Sequence, residues 1–224
     1  MFVADYIETS LLDWDGKISC VLFSSGCNFR CPWCQNKDLA LCEIKNEIPI
    51  EDILQKCRSK KNWIDGFVIS GGEPTINKDL KKIISEIKKN GFLVKIDTNG
   101  SNPGIIKELI SSNIIDAVSM DIKTALKKDK YDKASGINAD LKAVNETIDI
   151  LLNSDIECYF RTTAVPGIAD INDIKEIAGR IKGRKYIVQK FIPHNTINSE
   201  YRKIVPYTEQ EMKDMEEASY EKVF

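Results

Sequence analysis

Six short apolar runs, each followed by a segment of helical periodicity, fix the architecture this chain can adopt. The runs are Ile18–Phe23, Gly66–Ser70, Leu93–Asp97, Ala117–Ile122, Ile156–Val165 and Tyr186–Phe191. Between them, apolar residues recur at helical spacing: Ile50, Ile53, Leu54 and Cys57, then Leu80, Ile83, Ile84 and Ile87, then Ile105, Ile106, Leu109 and Ile110. Leu141, Val144, Ile148, Leu151 and Leu152 form a fourth face, and Ile174, Ile177, Ala178 and Ile181 a fifth. These spacings place each set on one side of a helix. Asn102 before Pro103 and Thr208 before Glu211 read as helix starts, and Gly91 as a helix stop. Strand–helix alternation of this kind predicts a parallel sheet with right-handed crossovers. Six units are too few for an eight-stranded barrel. The expectation is therefore an α/β fold, an open partial (β/α)6 TIM-like barrel, with one domain over residues 1–224.

Alternation within the strands sorts the side chains. Val118, Met120 and Ile122 face one way, and Ser119, Asp121 and Lys123 the other. Glu157, Tyr159, Arg161 and Thr163 oppose Cys158, Phe160 and Thr162. The polar faces are expected to line a lumen that binds something, because buried unpaired charge is costly. Cys20, Cys57 and Cys158 fall within regular elements and are expected to be core residues.

Charge excludes some partners. With 34 acidic and 32 basic residues the formal net charge is −2, so no global basic field points to nucleic acid or an anionic membrane. The lysines between Lys123 and Lys133 read as a solvated face, with a docking patch for a partner as the lesser reading. No apolar run is long enough to span a bilayer, and the first ten residues lack the pattern of an export signal. A cytoplasmic, reducing setting is expected, in which seven cysteines argue for metal ligation over disulfides.

Three of those cysteines, Cys27, Cys31 and Cys34, stand in a C-x3-C-x2-C run. By spacing alone they fit two sites. One is zinc, with Cys42 as a fourth ligand of a closed tetrahedron. The other is a [4Fe–4S] cluster with three protein ligands and one iron left open. The strand ends separate the two. In barrels of this kind chemistry sits at the C-terminal ends of the strands. There this chain places the cysteine loop, Ser70-Gly71-Gly72-Glu73-Pro74, Asp97-Thr98-Asn99-Gly100, Asp121-Ile122-Lys123, Arg161-Thr162-Thr163 and Pro193-His194-Asn195. A zinc module has no use for six polar strand ends, so the cluster is the expectation.

These motifs resemble the radical S-adenosylmethionine (SAM) superfamily. Residues Thr9–Lys17 and Gly26–Pro32 are similar to its glycyl-radical-enzyme activating proteins, above all those of anaerobic ribonucleoside-triphosphate reductase, with pyruvate formate-lyase activase more distant. That family more often has Pro where Asp15 stands and His where Gln35 stands. The resemblance extends over about residues 9–194. It implies a [4Fe–4S] cluster on Cys27, Cys31 and Cys34, and SAM at its open iron. It also implies a glycyl radical enzyme as protein substrate and a flavodoxin- or ferredoxin-type reductant. A small-molecule radical SAM enzyme of the 7-deazaguanine synthase kind is one alternative, and a non-catalytic iron–sulfur or zinc protein the other.

Site residues follow, with no catalytic side chain beyond the cluster and SAM. Gly71 and Gly72 let backbone approach the SAM methionine, and Glu73 fixes the turn or meets its ammonium group. Asp97, Thr98 and Asp121 are implied to hold a monovalent cation, or else cap loops; Asn99 joins the same strand end. Lys123 and Arg161 pair with SAM or with lumen acids, and Thr163 lies beside Arg161. His194, the only histidine, meets the nucleoside or is structural. Trp33 covers the cluster or packs in its loop. The residues 1–10 and 35–49 are the expected partner contacts.

Overall fold

The computed structural model describes residues 1–44, 46–60, 63–181 and 183–220. Two compact units divide the chain. One comprises residues 1–28, 38–98 and 104–118; the other comprises 29–37, 99–103 and 119–224.

In the first unit the strands are β1 (Phe2–Val3), β2 (Asp5–Ser10), β3 (Ser19–Ser24), β4 (Ile48–Pro49), β5 (Gly66–Gly71) and β6 (Leu93–Thr98). Its helices are α1 (Lys37–Ala40, of which Lys37 counts with the other unit), α2 (Ile50–Arg58), α3 (Leu80–Lys89) and α4 (Pro103–Ser111, whose Pro103 does likewise). The strand β7 (Ala117–Asp121) is shared, its first two residues counting here. The strand order is β2-β3-β5-β6-β7. The pairs β3/β5 and β5/β6 are parallel, in the register Val21↔Val68↔Lys95. The expected helix faces are buried: Ile50, Ile53, Leu54 and Cys57 in α2, and Leu80, Ile83, Ile84 and Ile87 in α3. On α4 only Ile106 and Leu109 are fully buried. Phe67 and Phe92 meet edge to face at 5.1 Å in this core.

Two features here differ from the sequence reading. Strand β2 pairs antiparallel with β3 at the edge of the sheet, and β1 pairs antiparallel with β4 in a sheet of their own. Residues Asp5–Ser10 alternate only between exposed and half-buried, so no apolar run marks them.

The second unit holds the rest of β7, with α5 (Lys128–Ser135), α6 (Leu141–Leu152), β8 (Glu157–Ala164), α7 (Ile171–Ile181), β9 (Tyr186–Lys190) and α8 (Glu209–Tyr220). The order is β7-β8-β9, with β8/β9 parallel in the register Thr163↔Gln189. Thr162 lies on the buried face as expected: its hydroxyl donates to the Ile122 carbonyl and accepts from the Tyr186 hydroxyl. The Thr208–Glu211 capping box forms, with Glu211 accepting from both the Thr208 N–H and hydroxyl at 2.7 Å. Six strands each followed by helix give the partial barrel that the alternation predicts. Among the described residues no helix is long and apolar enough to cross a membrane.

Most of the lysine run is the solvated face expected of it, with Lys127, Lys128, Lys130 and Lys133 exposed, and Lys123 is the exception. Lys123 is largely buried and ion-paired. The segment after it folds as α5, which buries Tyr131, Ala134 and Ser135 while its lysines stay outside.

Candidate functional site

In the first unit the ends of β3, β5 and β6 are tied by backbone. The Gly72 N–H donates to the Ser24 carbonyl (2.9 Å), and the Glu73 N–H to the Gly26 carbonyl (2.8 Å). The Gly26 N–H donates to the Leu39 carbonyl. The glycine pair is required by this packing. A Cβ on Gly72 would stand 1.8 Å from the Gly26 carbonyl oxygen, and one on Gly71 would stand 2.6 Å from the Ser24 backbone. At Gly71 φ is also +107°, outside the range of other residues. The close approach that excludes side chains here is therefore made by the strand leading into the cysteine loop.

Glu73 fixes the turn. Its buried carboxylate accepts from the Thr75 N–H (3.1 Å), the Thr75 hydroxyl (2.5 Å) and the Thr98 hydroxyl (2.8 Å). The last of these joins two strand ends. Asp97 is paired with Lys95 at 2.7 Å, both side chains being almost fully buried, and the Lys95 ammonium also donates to the Asp13 carbonyl. Sequence reasoning missed Lys95. Alternation from Asp97 would have found it, since residues two apart share a strand face.

In the second unit lie Cys31, Trp33 and Cys34. The Cys34 N–H donates to the Cys31 carbonyl (3.0 Å), closing the loop on itself. Three contacts hold it from outside. The Arg30 N–H donates to the Ser135 carbonyl at the end of α5 (2.7 Å), the Asn198 N–H to the Pro32 carbonyl (2.9 Å), and the Gln35 amide to the Ile192 carbonyl (2.6 Å). Gln35 thus anchors the segment that carries His194. That histidine is exposed.

Asp121, Lys123 and Arg161 form a triad. Arg161 Nε is 2.8 Å and Lys123 Nζ 3.0 Å from the Asp121 carboxylate. Burial alone would raise the Asp121 carboxyl, but the two cations outweigh it and hold it well below the usual carboxylate range. Burial alone would lower Lys123, and Asp121 with the Cys31 thiol outweighs that and raises it. Lys123 also lies over the Trp33 ring, 5.5 Å from its centroid. Burial raises the Cys34 thiol and Lys123 tempers the rise. Thr163 is half-buried on the same strand face as Arg161. Asn99 closes its own turn by accepting from the Ser101 N–H.

The seven cysteines sort by burial. Cys20, Cys57 and Cys158 are core residues. Cys27 and Cys34 are partly exposed, Cys31 is buried and Cys42 is exposed, and none of them is in a disulfide. Cys42 stands at φ +59°, its sulfur 3.4 Å from where a Gly26 Cβ would lie.

A partial α/β barrel with a three-thiol loop after its first parallel strand defines a class of protein. The chain belongs to the radical SAM superfamily, whose profile matches residues 21–181. A protein of Methanocaldococcus jannaschii called "Putative glycyl-radical enzyme activating enzyme" is 35% identical over 95% of this chain and 89% of its own length. Pyruvate formate-lyase-activating enzyme of Staphylococcus aureus is 32% identical over 35% of this chain and 34% of its own. Among solved structures, Streptococcus suis SuiB bound to S-adenosylmethionine superposes with a TM-score of 0.68 at 18% identity, covering 88% of this chain and 45% of that one. Membership implies a [4Fe–4S] cluster and SAM. The residues fit that group: three thiols outside any disulfide in one loop, and a buried indole N–H on Trp33 that has no acceptor among the described residues.

Proposed function

We propose that this enzyme is an activase that installs a glycyl radical on a partner protein, with anaerobic ribonucleoside-triphosphate reductase as that partner. The observation that carries the reading is near end-to-end likeness, 35% identity over 95% of the chain, to a protein named for activating glycyl-radical enzymes. The finer choice of partner rests on the similarity of residues 9–17 and 26–32 to reductase-activating proteins. Cys27, Cys31 and Cys34 would hold the cluster. Its chemistry there is reductive cleavage of SAM to a 5′-deoxyadenosyl radical, with the electron drawn from a flavodoxin- or ferredoxin-type donor.

The chain's own residues position and shield. Backbone ties from Gly72 and Glu73 set where the cysteine loop begins, and Arg30, Pro32 and Gln35 fix its far side. The Asp121–Lys123–Arg161 triad supplies a net positive charge suited to an anionic group such as the SAM carboxylate. Gly71, Thr163, Asn99 and His194 complete the SAM contacts in this reading. Trp33 excludes water, which matters because a carbon radical attacks any C–H bond in reach. A cation at Asp97, Thr98 and Asp121 has less support, since Asp97 already carries Lys95, Thr98 donates to Glu73, and Asp121 carries two cations.

The test is anaerobic reconstitution with SAM, reductant and the reductase, deuterated at the target glycine Cα. A glycyl radical signal on the reductase and deuterium in 5′-deoxyadenosine are expected. SAM cleavage that becomes productive only with a small metabolite, the reductase staying diamagnetic, overturns the reading.

A further inference from the structure

Among the described residues three buried side-chain polar atoms have no hydrogen-bond partner: Ser19 Oγ, Trp33 Nε1 and the Tyr131 hydroxyl. Two of the three belong to the cysteine loop or to the helix packed against it. Buried polar groups are nearly always satisfied, and an orphan costs about 1–3 kcal/mol. Two such donors together point to an acceptor that the polypeptide does not itself supply.

Tyr131 is placed by local structure. It lies on the inward face of α5 and is fully buried. Its ring meets Phe29 edge to face, with centroids 6.5 Å apart, and Phe29 is two residues from Cys31. The end of the same helix accepts the Arg30 N–H. Gly136, at φ +70°, lies so close that a Cβ would stand 2.0 Å from the Arg30 carbonyl oxygen. Burial raises the Tyr131 hydroxyl far above its ordinary value; the Lys123 charge and the Lys123 backbone N–H, which faces the hydroxyl oxygen and leaves its proton without an acceptor, oppose this, and the Cys31 thiol adds to the rise. Its O–H is a donor, and the Phe29 ring contact and the Arg30 bond set the helix that carries it against the loop of Cys31. The Lys123 ammonium lies over the ring of Trp33 in the same loop.

We propose that Tyr131 is a positioning residue for the cluster: its hydroxyl donates a hydrogen bond to the sulfur of Cys31 once that sulfur is an iron ligand, and so makes the cluster easier to reduce. Reduction adds negative charge that is partly borne by the sulfurs. A donor to sulfur, with the net positive Lys123–Asp121–Arg161 triad nearby, stabilises the reduced form more than the oxidised one. This inference rests on the radical SAM assignment and adds a residue from outside the strand ends.

Tyr131→Phe tests it, because only the oxygen is removed. In cluster-free protein the change should leave the melting temperature equal or raise it, since an unsatisfied hydroxyl is lost. In reconstituted protein without SAM, an EPR-monitored redox titration should show a more negative midpoint than wild type. The shift that D2O causes in the iron–thiolate vibrations should shrink. Lys123→Gln should move the midpoint the same way, and Asp121→Asn the opposite way. Loss of iron uptake by Tyr131→Phe with unchanged melting of the cluster-free protein would also support the bond. An unchanged midpoint and D2O shift at full iron content, or a clear fall in melting of the cluster-free variant, overturns it. A wild-type protein that takes up no [4Fe–4S] cluster would overturn the functional reading itself, which keeps the two failures apart.

Discussion

Asp121 shows how one residue couples chemistry to stability. Its carboxylate holds both Lys123 and Arg161, and the three side chains are 29%, 12% and 15% exposed. Removing its charge leaves two cations facing each other with little water. Asp121→Asn should cost about 3 kcal/mol, in the range for breaking a largely buried ion pair. The sign of the pH dependence follows from the depressed folded pKa. The stability contributed by Asp121 is fully present above the unfolded carboxyl value of about 3.9 and is lost as pH falls toward the lower folded value. Cluster-free wild type should therefore lose stability more steeply than Asp121→Asn below about pH 4, by up to about 1.4 kcal/mol per pH unit. Denaturant titrations between pH 2.5 and 6 check this, and parallel slopes would refute it. Lys123 and Arg161 were legible as strand-end cations, with pairing to lumen acids one of two readings. The Lys95–Asp97 pair was passed over because Lys95 sits inside a strand, away from any motif, where only alternation from Asp97 marks it.

At the scale of elements, α5 and its terminal glycine govern the cysteine loop. Gly136 caps the helix, its N–H donating to the Asp132 carbonyl, and touches the Arg30 backbone. Gly167 has a similar φ, +80°, with nothing within 4 Å of its notional Cβ. Each Gly→Ala change costs about 1–2 kcal/mol for the left-handed backbone. Only Gly136→Ala should also displace the loop, because carbonyl oxygen of the backbone cannot swing away as a side chain would. The expected result is similar mild destabilisation for both, plus an extra loss and lowered iron content for Gly136→Ala alone. Iron and sulfide analysis beside thermal melts decides it; equal iron in the two variants would show that the contact is slack. The parallel strands and helix faces could be read from the sequence because each buries an apolar stripe. Strand β2 could not, since an edge strand with one half-buried face carries no such run. Helix α5 could not either: its one buried aromatic, Tyr131, stands among lysines that look solvated.

For the whole molecule, the question is how a radical generated on a 224-residue chain reaches another protein. The turn between β2 and β3 offers a contact. Leu11 is 70% and Leu12 95% exposed, while Trp14 two residues on is fully buried. The turn is braced: the Ser10 hydroxyl donates to the Asp13 carboxylate (2.5 Å) and accepts from the Leu12 N–H (3.2 Å), and Lys95 holds the Asp13 carbonyl. A rigid turn that spends two leucines on solvent gains nothing for folding. It suits a partner surface. Exposed side chains contribute little to the fold, so Leu11→Ser with Leu12→Ser should change stability by less than about 0.5 kcal/mol per site. Iron content and the partner-independent rate of SAM cleavage should match wild type. The yield of glycyl radical on the partner enzyme should fall at least tenfold at low partner concentration and recover as the concentration rises, as expected when docking weakens and chemistry is intact. Radical yield measured by EPR against partner concentration, with 5′-deoxyadenosine counted in the same samples, separates the cases. A wild-type concentration curve would remove this turn from the interface, and a parallel fall in SAM cleavage without partner would make its role internal to the fold.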